Sequence, residues 1–223
     1  MTPAARLSAA IDLLDRILAG EAAEKALTTW GRGARYAGSG DRAAVRDLVF
    51  DALRCRRSFG HLGGGDTGRG LILGGLRDRG GDVAALFTGI GHAPAPPGPH
   101  EGPPDPPEGL VALDCPDWLA PQLHDSLGDD FAPVMQALRH RAPLHLRVNL
   151  RRTTRDSAQA ALGAEGIVTR PHPLSPAALE VTEGARRVQA SQPYADGRVE
   201  IQDAASQAVA DSLPIAPGAR VLD

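Results

Sequence analysis

The sequence predicts an all-α half followed by a small α+β domain, and three observations carry that division. Apolar residues recur at helical spacing from Leu7 to Leu138. The period then changes to strict alternation: Leu144, Leu146, Val148 and Leu150 against His145, Arg147, Asn149 and Arg151. Beyond that strand the order runs helix, strand, strand, which suggests a ferredoxin- or RRM-like unit.

In the helical half, Leu7, Ile11, Leu14, Ile17 and Leu18 mark a first helix that Gly20 closes. A second covers Ala22 to Trp30, with Trp30 as a core plug. The strongest helix is expected from Asp41, as N-cap, to about Phe59, burying Val45, Leu48, Val49, Ala52 and Leu53. Arg42, Arg46, Arg54, Arg56 and Arg57 on it serve either as a solvated surface or as RNA contacts. Shorter helices are expected at Leu71–Arg79 and Val83–Ile90, the latter with Leu86 and Phe87 inward. Glycines 63, 64, 65, 68, 70, 74 and 75 invite a phosphate-loop reading. The Gly-Lys-Ser/Thr element and the preceding strand are both missing, so that reading is rejected.

From 93 to 109 prolines dominate and predict an extended linker or meandering loop. Order resumes at Asp114, with Pro116 in a first helical turn and Trp118, Leu119, Leu123 and Leu127 as its packing face. Phe131, Val134, Met135 and Leu138 form the next stripe.

In the α+β part, Thr153 and Asp156 are spaced as a capping box for a helix that buries Ala158, Ala161 and Leu162. Gly166–Val168 and Ala178–Val181 read as strands. Between Arg139 and Arg170 seven arginines (139, 141, 147, 151, 152, 155, 170) face two acids, Asp156 and Glu165, a local excess of +5 in a chain of formal charge -3. Arg147 and Asn149 on one strand face, with Arg151 and Arg152 at its end, are candidate RNA-backbone contacts. A plain solvated sheet face is the alternative. The stacking aromatics of an RRM sheet are missing, so base stacking there is not expected.

Composition limits the remaining classes. A hydrophobic content of 42% supports a packed core, and the net charge excludes a uniformly basic coat but not a local patch. Of 24 basic residues only Lys25 is a lysine; arginine suits phosphate recognition, but a GC-rich coding bias, which yields Arg, Ala, Gly and Pro together, is the readier explanation. Cys55 and Cys115 lie far apart, with no Cys-x-x-Cys or His-Glu-x-x-His spacing, so buried thiols and no metal site are expected. No run approaches the ~20 apolar residues of a membrane span, which points to a cytoplasmic protein without a membrane partner.

The last stretch carries a motif. Gly197-Arg198-Val199-Glu200-Ile201-Gln202-Asp203-Ala204-Ala205-Ser206-Gln207 leads through a short helix to Pro217-Gly218-Ala219-Arg220-Val221-Leu222-Asp223. Asp203 is placed to cap that helix, and Val221–Asp223 looks like the first strand of a Rossmann-like nucleotide-binding unit. This order, with Leu144-His145-Leu146-Arg147-Val148-Asn149, resembles the RsmB/Sun family of S-adenosylmethionine-dependent RNA cytosine-C5 methyltransferases.

The resemblance implies a NusB-like helical domain over 1–141, an RNA-handling α+β domain over 142–196 and, over 197–223, the lead-in to a methyltransferase core. It implies that Gln202, Asp203, Ser206, Gln207 and Asp223 border the cofactor and substrate cleft, and that RNA, foremost ribosomal RNA and not DNA, is the partner. By the same resemblance the catalytic cysteines and the glycine-rich S-adenosylmethionine loop lie outside these residues, so no catalytic residue is expected in this chain. Arg42 and Arg46 join Arg147, Asn149, Arg151 and Arg152 as expected RNA contacts. A stand-alone NusB-like RNA-binding factor and a helical protein-interaction module are the competing classes.

Overall fold

The computed structural model describes residues 1–101, 105–216 and 218–221. The chain divides into two compact units, residues 1–141 and 142–223.

The first unit is helical: α1 (Pro3–Leu18), α2 (Ala23–Gly33), α3 (Ser39–Arg54), α4 (Arg56–Gly63), α5 (Gly68–Asp78), α6 (Val83–Leu86), α7 (Gly109–Ala112), α8 (Ala120–Leu127) and α9 (Phe131–Leu138). Leu7, Leu13, Leu14, Val45, Val49, Phe59, Leu71 and Phe87 meet in its main core. Cys115, Ala120, Phe131 and Met135 form a smaller cluster around α8 and α9.

Four expectations fail here. The helix expected from Asp41 to Phe59 starts at Ser39 and breaks at Cys55 (φ -105, ψ 35), giving α3 and α4. Asp41 does not cap it. It lies in the first turn, where its carboxylate accepts from Gly38 N–H (3.0 Å), Arg6 Nε (2.8 Å) and the Met1 ammonium (3.1 Å). The helix expected to reach Ile90 stops at Leu86, because Gly89 and Gly91 adopt positive φ; Phe87 is buried as expected. Trp118 does not pack but is 74% exposed. The Pro116 carbonyl accepts from Leu119 and Ala120 N–H, a turn that delays α8 and leaves Cys115 and Ala120 to fill the buried positions.

The glycine run is explained by contact distance. α4 lies against α5 with backbone touching backbone. A Cβ at Gly63 would overlap the Gly70 carbonyl, and one at Gly74 the Phe59 carbonyl. No side chain of any size fits between two backbones so close. The proline-rich stretch is fastened to the same helix. Glu101 accepts from Arg69 Nε (2.7 Å) and Nη2 (2.9 Å) and from Gly98 N–H (2.8 Å), and Arg77 donates to the Glu101 carbonyl. It is a meandering loop held to α5 up to Glu101, with residues 102–104 outside the described chain.

The second unit holds a four-stranded antiparallel sheet. Its elements are β1 (Leu144–Val148), α10 (Arg155–Ala164), β2 (Val168–Pro171), β3 (Ala178–Glu183), a 3-10 stretch (Ala185–Ala190), α11 (Gln192–Ala195), β4 (Val199–Ile201) and α12 (Ala204–Asp211). The strand order β2-β3-β1-β4 is that of a ferredoxin-like split βαβ. Leu146 and Val148 of β1 and Leu179 and Val181 of β3 share the core with Ala158 and Leu162 of α10, Ile167, Val188 and Val199. Each fully buried Leu or Val there contributes about 1.5–3 kcal/mol.

The alternation of β1 ends sooner than expected: the strand stops at Val148 and Leu150 is 55% exposed. His145, expected on an open face, is buried, because a helix crosses that side. α12 packs against β1 and β3, with Asp203 at its cap 3.8 Å from His145 Nδ1. The cap of α10 is Thr154, whose hydroxyl accepts from Ser157 N–H, and not the Thr153–Asp156 pair. Gly166, at φ +74, turns the chain so that β2 begins at Val168, two residues later than expected. Val221, exposed, lies in no strand, and Leu222 and Asp223 fall outside the described residues.

Gly74→Ala is expected to lower the unfolding free energy of the first unit by about 3 kcal/mol or more, since backbone must move. Gly31→Ala in α2, whose nearest outside neighbour is an Arg42 methylene at 3.8 Å, should raise it by up to about 1 kcal/mol. Denaturant unfolding of both variants checks the contrast. The Asp41 carboxyl, held down first by the Met1 ammonium and then by Gly38 N–H, titrates at about 2 instead of 3.8. Its contribution to stability is complete above pH 4 and is lost as pH falls through about 2. A carboxyl-carbon NMR titration should place the midpoint near 2; one at 3.8 would remove the interaction.

Candidate nucleic-acid interface

The expected RNA surface was the side of β1 that carries Arg147, and the sheet pairing shows what lies beside it. Arg147 stands opposite Glu200 of β4, and its Nη1 reaches that carboxylate at 3.4 Å. On the same side Arg170 of β2 makes two hydrogen bonds, of 3.0 and 2.9 Å, to Glu180 of β3. His145 and Ala178 on this side are buried. The face is therefore charge-paired and partly roofed by α12, which corrects the expectation of an open basic sheet.

The +5 excess disperses in the same way. Arg139 donates from Nε to Asp114 (2.8 Å) and lies 3.4 Å from Asp78, inside the helical unit. Arg141 pairs with Asp47 at 3.4 Å. What stays open is the end of β1. Asn149 Oδ1 accepts from Arg151 N–H (3.2 Å), and its carbonyl accepts from Arg152 N–H (2.9 Å) and Thr153 N–H (3.1 Å). That turn throws the two arginines outward. Its other side is fastened to the chain before β4: Asn149 Nδ2 donates to the Gly197 carbonyl (3.3 Å) and Arg152 Nη1 to the Asp196 carbonyl (2.7 Å).

Arg147, Asn149, Leu150 and Arg151 line a groove of about 310 Å³ here, with Gly197, Glu200 and Asp211 on its far wall. The Arg151 guanidinium is exposed and has no hydrogen-bond or ion-pair partner among the described residues. A phosphate oxygen is the natural acceptor for such a group. The groove gathers Arg147, Asn149 and Arg151, while Arg152 lies beside it in the turn with its guanidinium on the Asp196 carbonyl. Sequence reasoning missed Glu200 and Asp211, which only the pairing of β4 and the path of α12 place there.

Arg42 and Arg46, in the other unit, line a separate cleft with Leu27, Trp30 and Arg32. Arg46 pairs with Glu24 and lies over the Phe50 ring at 5.2 Å, while Arg42 Nη2 donates to the Ala34 carbonyl (3.4 Å). Both are partly spent on local structure. Trp30 of the same cleft is half-buried against the core.

The segment before the expected methyltransferase strand is built around α12. Asp203 Oδ1 caps it through Ala205 N–H at 2.8 Å. Gln207 is buried and donates to the Gln202 carbonyl (3.0 Å), while Gln202 N–H donates to the His145 carbonyl (3.2 Å). Ser206 is exposed, and Asp223 lies outside the described residues. The polar run thus has a structural duty: it ties α12 to β1.

Both thiols are buried. Burial, then the Asp114 carboxylate, pushes the Cys55 thiol up, which disfavours a thiolate nucleophile. No helix of the described residues is long and apolar enough to cross a membrane.

A family model described as Methyltr_RsmF/B-like, ferredoxin-like domain matches residues 115–189. Proteins named Ribosomal RNA small subunit methyltransferase B are similar over 108 residues: the one from Xanthomonas campestris pv. campestris at 35% identity and that from Vibrio cholerae serotype O1 at 36%. Those matches take in 48% of this chain but only 24% and 25% of the relatives, so the shared stretch spans about a quarter of their length. A solved structure, described as Crystal Structure of PH0851, aligns with a TM-score of 0.53 at 14% identity, covering 91% of this chain and 53% of that one, a likeness of fold alone. Over residues 115–189, which take in most of its four-stranded sheet, the chain is thus similar to the RsmF/B-like ferredoxin-like domain family.

Proposed function

We propose that the chain handles RNA for an S-adenosylmethionine-dependent rRNA 5-methylcytosine methyltransferase, with methyl transfer carried out by residues outside these 223. The observation that carries the reading is the groove at the end of β1, where Arg151 presents a guanidinium unpaired among the described residues beside Arg147 and Asn149, with Arg152 next in the turn. A ribose–phosphate backbone running past this turn would meet charge and amide donors without base readout, which positions RNA and leaves sequence selection elsewhere. The names of the curated relatives support ribosomal RNA as the partner; a cytoplasmic setting is part of the same proposal.

In this reading the helical unit serves as the family's NusB-like bundle, and Arg42 and Arg46 add a weaker contact. The segment Gln202–Gln207 leads into the methyltransferase core and, with Asp223, borders its cofactor cleft. Methylation at cytosine C5 requires a nucleophile on C6, usually a thiolate. Neither Cys55 nor Cys115 supplies one, both being enclosed in the helical unit. That supports placing the chemistry beyond this chain.

RNA binding should be measured at low and moderate salt for the chain and for the R151A/R152A double variant. The expected result is a several-fold loss of affinity, with the log–log salt slope shrinking by about 0.7–0.9 for each phosphate contact removed. R42A/R46A should change both less. Binding that ignores the first pair would put the RNA contact elsewhere. Incubated with S-adenosylmethionine and rRNA, the chain alone should transfer no methyl group, and measurable transfer would overturn the division of labour.

A further inference from the structure

We propose that His145, His172 and Glu180 form a site for a divalent transition-metal ion of the zinc class, on the side of the sheet under α12. The three are 27 and 8 residues apart in sequence, and strand pairing gathers them. His145 is the direct cross-strand partner of Glu180. His172 follows β2 on the side shared with Arg170, its N–H donating to the Ala178 carbonyl at 3.1 Å. Their ligand atoms all lie within 4.8 Å of one another. The rings of His145 and His172 meet edge to face, with centroids 4.8 Å apart.

The observation pointing to a ligand is the state of His145. Its side chain is 9% exposed, and both ring nitrogens are enclosed without a hydrogen-bond partner among the described residues. A buried imidazole whose donor and acceptor are both orphaned is a costly residue to keep unless something else engages it. Its neighbours are another imidazole and a carboxylate, and two imidazoles with a carboxylate make a donor set that suits zinc. Asp203 stands ready as a fourth ligand. Its Oδ1 caps α12, while Oδ2 lies 3.8 Å from His145 Nδ1.

Supporting contacts are present as well. Glu180 accepts two hydrogen bonds from Arg170. A carboxylate has lone pairs left after such a pair, and ligating carboxylates are commonly held in this way. The cost falls on His172, whose Nδ1 accepts a long 3.4 Å hydrogen bond from Leu174 N–H. Ligation through Nδ1 replaces that bond, and ligation through Nε2 moves the proton to Nδ1 and gives it up. Zinc–nitrogen and zinc–oxygen bonds of about 2.0–2.2 Å require the donors to draw in by roughly an ångström. His172, half-buried at a strand end, is the residue free to make that move. No short metal motif announced this site, because spacing rules read one segment and these ligands come from two strands and the residue that follows a third.

The test is Zn²⁺ titration of the full chain by calorimetry, with thermal unfolding as a second readout. One equivalent should bind and raise the melting temperature of the second unit. H172A, at a partly exposed position that the core does not need, should lower affinity at least tenfold and abolish the thermal shift. E180Q keeps the packing and should weaken binding in the same direction. Substituted Co²⁺ should give a spectrum of nitrogen and oxygen ligands without sulfur charge transfer. No binding, or binding that H172A and E180Q leave unchanged, would overturn the proposal, as would a thiolate signature from Cys55 or Cys115.

Discussion

The second unit depends on β1 being paired on both edges. Antiparallel ladders to β3 and β4 fix its register, and a period of two then leaves no freedom as to which residue faces which way. Leu146 and Val148 go to the core, while His145 and Arg147 go to the opposite side. The strand also dictates what happens at its end. Once Val148 completes the core, Asn149 begins a turn whose backbone bonds run to Arg152 and Thr153, and the arginines leave the sheet together. A slip of one residue would exchange core for charge and dissolve both the groove and the histidine cluster.

α12 divides the far side of that strand into two environments. Near His145 it excludes water, aided by Gln207 and the Gln202 carbonyl. Near Arg147 and Arg151 the surface opens to solvent beside Asp211 at the helix's last turn. A single helix thus separates a polar site that must be satisfied from within from one that can only be satisfied by something arriving. The first favours a small ion and the second an extended polyanion.

Much of this was legible in the sequence where periodicity spoke. The stripes Leu7–Leu18 and Val45–Leu53 became helices, and the alternation at Leu144–Val148 became a strand. Boundaries were less so, because they depend on single backbone geometries: the break at Cys55, the turn at Pro116 that exposes Trp118, and Thr154 capping in place of its neighbour. For the site, the arginines were visible but their partners were not. Glu180 and Glu200 lay outside the window in which charge was counted, and Asp114 neutralises Arg139 from 25 residues away. Charge density along a chain measures proximity in sequence, whereas solvent and ligands respond to proximity in space.

The contact between α4 and α5 bears on how this chain can vary. Every single-base change in the first or second position of a glycine codon that yields another amino acid adds at least one carbon. At Gly63 and Gly74 that carbon has nowhere to go. The genetic code therefore offers these positions no gentle neighbour. A pair of helices that approach this closely is locked in as ancestry: it can be inherited or lost, but not gradually remodelled.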